Sequence, residues 1–182
     1  MRAAILSLLT VVTVAGAAMA ATSPRPRPEG AAATCRHQSS AAFPKSTRDL
    51  VVGPLVLIGA RAYSPPNVIS TFGGQKYPAV LLAGHRVTIE LSRSARRSTS
   101  VLYADEHRKT PDGQRTVGDG HRVVEFTACP RHRSGSSYDG RKATFWSGLV
   151  LTAVPSCLKM RVWIDDERSP RRAHLPLGKR CA

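Results

Sequence analysis

From Asp49 onward, no window of about eleven residues carries an apolar stripe at helical spacing. Short apolar or alternating runs are instead separated by clusters of Gly, Pro, Ser and Asp. This punctuation predicts strands at Leu50–Gly59, Ala79–Ala83, Arg86–Ser92, Ser100–Ala104, Arg122–Cys129, Ala143–Val154, Leu158–Ile164 and Arg172–Leu177. Eight short strands with turns at close intervals favour an all-β fold, a two-sheet antiparallel sandwich, over any α/β plan. In Arg86–Ser92, Val87, Ile89 and Leu91 alternate with Arg86, Thr88 and Glu90, which places one face in a core and the other in water. Leu50–Val52 and Leu149–Leu151 are apolar on both faces and are expected to be central or covered. Pro111-Asp112-Gly113 and Gly118-Asp119-Gly120 carry turn chemistry, since Asp bonds back to its own backbone and Gly tolerates positive φ.

The likeness to an immunoglobulin domain stops at general architecture. Cys129, Trp146 and Cys157 come in the right order, but the two cysteines are only 28 positions apart. The chain is 42% hydrophobic, too apolar for disorder, and its 182 residues suit one compact domain.

Ahead of that domain, Met1 and Arg2 are followed by an uncharged apolar run from Ala3, and Ala18-Met19-Ala20 sets small residues where a signal peptidase cuts. Residues 1–20 are expected to be a signal peptide, with a retained membrane anchor as the competing reading. Without them the formal net charge falls from +15 to +14, because Arg2 is their only charged residue. No later segment is long and apolar enough to span a bilayer, so no membrane span is expected after cleavage. Residues 21–34 include TSPRPRPEGAA at Thr22–Ala32, whose alternating prolines predict an extended linker in which Arg25 and Arg27 serve solubility. The sandwich domain is then expected over residues 35–182.

Cys35, Cys129, Cys157 and Cys181 form an even set, and export favours two disulfides, with three connectivities open. Strand parity favours one of them. If Val124, Phe126 and Ala128 face the core, Cys129 lies on the outer face with Glu125 and Thr127. If Leu158, Met160, Val162 and Ile164 face the core, Cys157 lies outside with Lys159 and Arg161. The expected bridges are therefore Cys129–Cys157 and, tying the domain ends, Cys35–Cys181. A zinc site at Cys129-Pro-Arg-His132 competes only weakly, because no second pair of ligands completes it. No metal or cofactor is expected.

The segments DLVVGPLVLIGA, AGHRVTIEL, VEFTACP, FWSGLVL, CLKMRVWID and PLGKRC together resemble uncharacterised secreted proteins of high-GC Gram-positive bacteria. The resemblance implies a secreted β-sandwich and brings no activity or functional residue with it.

Sequence contexts that carry catalysis are missing. The chain has no Gly-x-Ser-x-Gly elbow, His-Glu-x-x-His, phosphate-binding Gly-x-x-x-x-Gly-Lys or calcium loop. His85, His107 and His121 sit among turn or charged residues and read as solvated, and Asp165-Asp166-Glu167 reads as a hairpin tip. A non-enzymatic protein is the expectation, with an unrecognised hydrolase as a remote alternative.

What points outward is charge: 27 Lys and Arg against 12 Asp and Glu. Such an excess attracts polyanions. Its dense clusters are Arg96-Arg97, Arg131 to Arg133, Arg141-Lys142, Arg168 to Arg172 and Lys179-Arg180. Candidate polyanion contacts are Arg131, Arg133, Arg141 and Lys142, together with Lys159, Arg161 and Trp163 on one strand face. There an exposed indole between cations would stack on a sugar or base, unless another element covers it. Trp146, beside Phe145, reads as core. The leading expectation is a secreted protein of the envelope or extracellular space that contacts anionic polymers, with nucleic acid not expected as a physiological partner. The alternative is an extracellular protein-interaction module, an inhibitor or assembly accessory, recognising its partner through Glu106–Gly120 or Pro130–Gly140.

Overall fold

The computed structural model describes residues 24–29, 32–103, 111 and 114–181. The first 23 residues, Asp112 and Gly113 of the Pro111-Asp112-Gly113 turn, and the Glu106 to Thr110 part of the Glu106–Gly120 loop, His107 included, lie outside the described residues. The chain is all-β. Its strands are β1 (Ala42–Phe43), β2 (Leu50–Val52), β3 (Leu55–Leu57), β4 (Gly74–Lys76), β5 (Ala79–Leu82), β6 (Arg86–Leu91), β7 (Thr99–Tyr103), β8 (Val123–Thr127), β9 (Ser136–Tyr138), β10 (Arg141–Trp146), β11 (Gly148–Thr152), β12 (Ser156–Ile164) and β13 (Arg171–Leu177). Among the described residues one α-helix forms, α1 (Pro66–Phe72), which starts on a proline whose missing N–H would have no helical partner anyway. It is too short to register as a helical stripe in the sequence.

Three sheets form, where two were expected: β1-β9-β10-β5-β3-β2, β4-β11-β7 and β13-β12-β6-β8. The difference arises at one corner. Ala143–Val154, read as a single strand, breaks after Trp146, so that β10 pairs with β5 while β11 pairs with β4 and β7. The register is unbroken across the break, from Trp146 opposite Ala79 to Leu149 opposite Lys76. The first two sheets are thus one ribbon, antiparallel except where β1 joins β9 in parallel, bent at Tyr77-Pro78 and Ser147-Gly148. Gly148 is required at the bend, because a Cβ there would lie 2.0 Å from the Tyr103 ring.

The bent ribbon and the four-stranded sheet share one core. Leu55, Leu57, Leu81, Tyr103, Trp146 and Val150 from the first meet Val87, Ile89, Phe126, Leu158, Val162 and Leu175 from the second. Phe126 packs edge-on against both Tyr103 and Trp146, with ring centroids 5.0 and 5.5 Å apart. Trp146 is core, as expected, and Leu149–Leu151 is buried in the middle of its sheet. Leu50–Val52 is not central. It forms the edge strand β2, paired only with β3, and leaves Val51 43% exposed. Its apolar faces are used because β2 runs beside β13, where two sheet edges meet, and Gly53 turns the hairpin at φ 61° under the Ile164 side chain.

Part of the expected linker packs against the domain. The Glu29 and Ala33 amides donate to the carbonyls of Val123 and Glu125, and the Thr127 amide donates back to Ala33. This run extends the four-stranded sheet past β8, and Ala33 is fully buried. Arg25 is not a free solubilising charge: its guanidinium donates to the carbonyls of Trp163, at 3.1 Å, and Asp165. The prolines keep the segment extended, and the strand edge it meets supplies its missing partners.

The disulfides are Cys35–Cys129 and Cys157–Cys181, which corrects the expected pairing. Parity failed at Cys129 because β8 ends at Thr127. The Ala128 amide still bonds to the His85 carbonyl in line with the β6–β8 register, but the Cys129 amide turns to Thr144 Oγ1 at 2.6 Å, and Cys129 is buried. Alignment of Ala33 with Phe126 carries Cys35 to the same end of the sheet. Cys157, opposite Pro176, is close to where the chain arrives at Cys181 after β13. Each bridge therefore locks a pairing the backbone has already made.

The tip between β12 and β13 is tied to the turn before β6. Asp165 accepts from His85 Nδ1 at 2.7 Å and from the Arg86 amide at 2.8 Å. Partial burial pushes the Asp165 carboxyl up, but those two hydrogen bonds and the charges of His85 and Arg25 outweigh it and hold the group below its ordinary 3.8.

Two predictions follow from this frame. Cys35–Cys129 spans 94 positions and Cys157–Cys181 spans 24; by loop entropy their removal costs about 4.6 and about 3.5 kcal/mol respectively. Denaturant titration of the paired Cys→Ser variants is expected to give that order, and unreduced peptide maps to contain these two linkages. Asp165→Asn should lower the melting temperature at neutral pH, where the carboxylate contributes fully. A lowered folded-state pKa loses its contribution as pH falls through it, so the gap between variant and wild type should close as the pH is taken below the ordinary carboxylate range.

Candidate anion-binding groove

The β12–β13 hairpin sets Lys159 opposite His174 and Arg161 opposite Arg172. All four point away from the core, because the intervening Met160, Leu158, Ala173 and Leu175 fill it. With Pro24, Ser92 and Arg93 they line a groove of about 740 Å³ on the outer face of the four-stranded sheet. Among the described residues no carboxylate lines this groove. Arg93, Lys159, Arg172 and His174 are exposed, and none has a hydrogen-bond or ion-pair partner among the described residues.

Beneath the groove lies one buried negative charge. Glu90, opposite Arg161 in the β12–β6 ladder, is only 3% exposed. Its Oε1 accepts from Arg161 and, at 2.9 Å, from Arg96; its Oε2 accepts from Trp163 Nε1 at 3.1 Å. A carboxylate out of water is costly unless several charge-assisted hydrogen bonds replace its hydration, and here three donors do so. Two guanidinium groups on one carboxylate leave a surplus positive charge. Both remain over one-third exposed, Arg96 at 36% and Arg161 at 39% of the side chain. The outer face of β6 is accordingly dry at Thr88 and Glu90, contrary to the alternation read from the sequence.

Trp163 is the clearest correction. It shares the outer face with Lys159 and Arg161, as parity requires, yet it is buried at 2% exposure. Glu90 holds its indole N–H, and Arg25 is bonded to its carbonyl. It cannot stack on a ligand in this arrangement.

A second cleft, of about 540 Å³, shares Arg172 and His174 with the first and adds Arg61, Arg171 and Val51 where β13 meets β2. Arg171 is partly neutralised there by Glu167 at 2.6 Å. The two depressions make a cationic strip around the β13 edge. Arg131, Arg133, Arg141 and Lys142 lie elsewhere, exposed on the one-turn helix Arg131–Arg133 and at the start of β10, and line neither groove. The basic residues named from the sequence as candidate contacts thus separate into two groups, of which only Lys159 and Arg161 lie in a concave site.

Among the described residues, no three His, Cys, Asp or Glu side chains gather as metal ligands, and Cys129 of Cys129-Pro-Arg-His132 is committed to a disulfide. Asp165 and His85 form a hydrogen-bonded pair that joins two turns. No described helix is long and apolar enough to cross a membrane. Compared with models of protein families, with curated proteins and with solved structures, the chain matches none.

Arg93, Arg172, His174 and Glu90 were not foreseen as members of this site. A signal for two of them was present: with Asp165–Glu167 as hairpin tip and Ala173, Leu175 and Leu177 inward, Arg172 and His174 must face outward beside Lys159 and Arg161. Glu90 leaves no such trace, since only the tertiary structure shows that its face is covered.

Removing the buried carboxylate exposes two guanidinium groups to each other and frees the indole N–H. Glu90→Ala is expected to cost about 3 kcal/mol of stability by denaturant titration. Arg161→Ala should cost less, because Arg96 and Trp163 still hold the carboxylate. In acrylamide quenching, both tryptophans of the wild type should be protected, and Glu90→Ala should expose one.

Proposed function

We propose that this is an exported, non-enzymatic protein of the cell envelope or extracellular space that holds anionic polymers in the groove on the outer face of its four-stranded sheet. The observation that carries this reading is the grouping of Arg93, Lys159, Arg161, Arg172 and His174 around one depression without a lining carboxylate. A concave, single-sign surface focuses the field of a chain whose formal charge is +15 and gathers polyanions at low ionic strength. Export is supported by the leader-like first twenty residues and by two disulfides, which persist in oxidising compartments.

The test is retention on an immobilised polyanion such as heparin. The wild type should bind at low salt and elute as salt rises, since the affinity comes from counterion release. The double variant Lys159→Gln/Arg172→Gln should elute at distinctly lower salt, and Arg131→Gln/Arg133→Gln close to wild type. Absence of retention at low salt, or equal elution of the two double variants, contradicts the proposal. Capture of a protein partner that withstands moderate salt would favour a recognition module instead.

A further inference from the structure

We infer that the groove is built for one class of polyanion, a linear polyol phosphate without bases, an assignment that rests on the polyanion reading above. The argument is one of spacing. Lys159 and Arg161 are two residues apart on β12, as Arg172 and His174 are on β13, and the pairs stand directly opposite each other. Along a strand two residues cover about 6.7 Å, and across neighbouring strands about 5 Å separates facing Cβ atoms. The groove floor therefore presents basic side chains in a small grid whose long step is about 6.7 Å.

A glycerol phosphate repeat contains twice the backbone bonds of an amino-acid residue, so its extended phosphates stand about 7 Å apart. Successive phosphates thus meet successive basic side chains without either chain bending. Arg161 and Arg172, facing each other, suit a phosphate better than an isolated carboxylate, because guanidinium groups fork onto its several oxygens. The sugar-phosphate chain of a nucleic acid has the same backbone bond count, and a second feature separates the two. Single-stranded nucleic acids are held by aromatic platforms as much as by charge. Trp163, the indole closest in sequence to the basic positions, is turned in and bonded to Glu90, and among the described residues no Trp, Tyr or Phe lines the groove. The site offers charge at the right interval and no surface on which a base would stack. Pro24 closes one side of it, so the segment before the sheet contributes a wall.

The experiment is equilibrium binding of the disulfide-bonded protein to three polymers of matched charge number: poly(glycerol phosphate), oligothymidylate and hyaluronan, whose carboxylates lie two sugar rings apart. Poly(glycerol phosphate) is expected to bind tightest. With four permanent cations engaged, Arg93, Lys159, Arg161 and Arg172, its affinity should fall about fifty-fold between about 50 and 200 mM salt. Lys159→Gln should reduce that salt slope by about 0.7, and Arg93→Gln by a similar amount, with unchanged melting temperatures. Hyaluronan binding as tightly would overturn the spacing argument while leaving a general polyanion site. Oligothymidylate binding as tightly or more so would overturn the base-free assignment. Failure of all three at low salt would remove the polyanion reading itself.

Discussion

One buried carboxylate organises the outer face of the four-stranded sheet. Glu90 sits within the four-stranded sheet where water does not reach, and its charge is tolerable only because Arg96, Arg161 and Trp163 all donate to it. Three consequences follow from that arrangement. The indole of Trp163 is drawn inward and ceases to be a contact surface. Arg161 is fixed in place while part of its guanidinium stays in solvent. Lys159, Arg172 and His174 of the hairpin have no acidic partner among the described residues and stand open.

The frame around this carboxylate depends on residues before the first expected strand. Glu29 and Ala33 bond along β8, which would otherwise present an unpaired edge, and the pairing at Ala33 brings Cys35 to Cys129. Trp146 reinforces it, donating from its indole to the Thr34 carbonyl at 2.9 Å. The segment thus has three attachments: a strand pairing, a disulfide and a core tryptophan. Its Pro-rich start extends to Arg25, whose hydrogen bonds lie beside the hairpin tip that His85 and Asp165 hold. The groove wall, the covered indole and the anchored tip therefore belong to one connected region, closed at both ends by sulfur.

Much of this was legible in the sequence, and what was not has a definite physical source. The alternation of Leu158, Met160 and Val162 against Lys159 and Arg161 fixed the faces of β12, and the same period gives those of β6 and β13. The all-β class came from the turn punctuation. Periodicity assigns a residue to a side of a sheet but does not reveal what lies over that side; Thr88, Glu90 and Trp163 are polar-face residues that other elements cover. It also fails where a strand stops, as at Thr127, two residues short of Cys129, and at the corner after Trp146 where one apolar run serves two sheets. Short pieces such as β1, β4, β9 and α1 are too brief to show a period at all.

The most direct test of the account is to map where a phosphate polymer touches the protein. Backbone amide shifts followed by NMR during titration with poly(glycerol phosphate) should change at Arg93, Lys159, Arg161, Arg172 and His174, the residues facing the groove. Shifts confined instead to Arg131–Arg133 and Arg141–Lys142 would place the contact on the other basic group and contradict the claim that the Glu90-centred face is the binding surface.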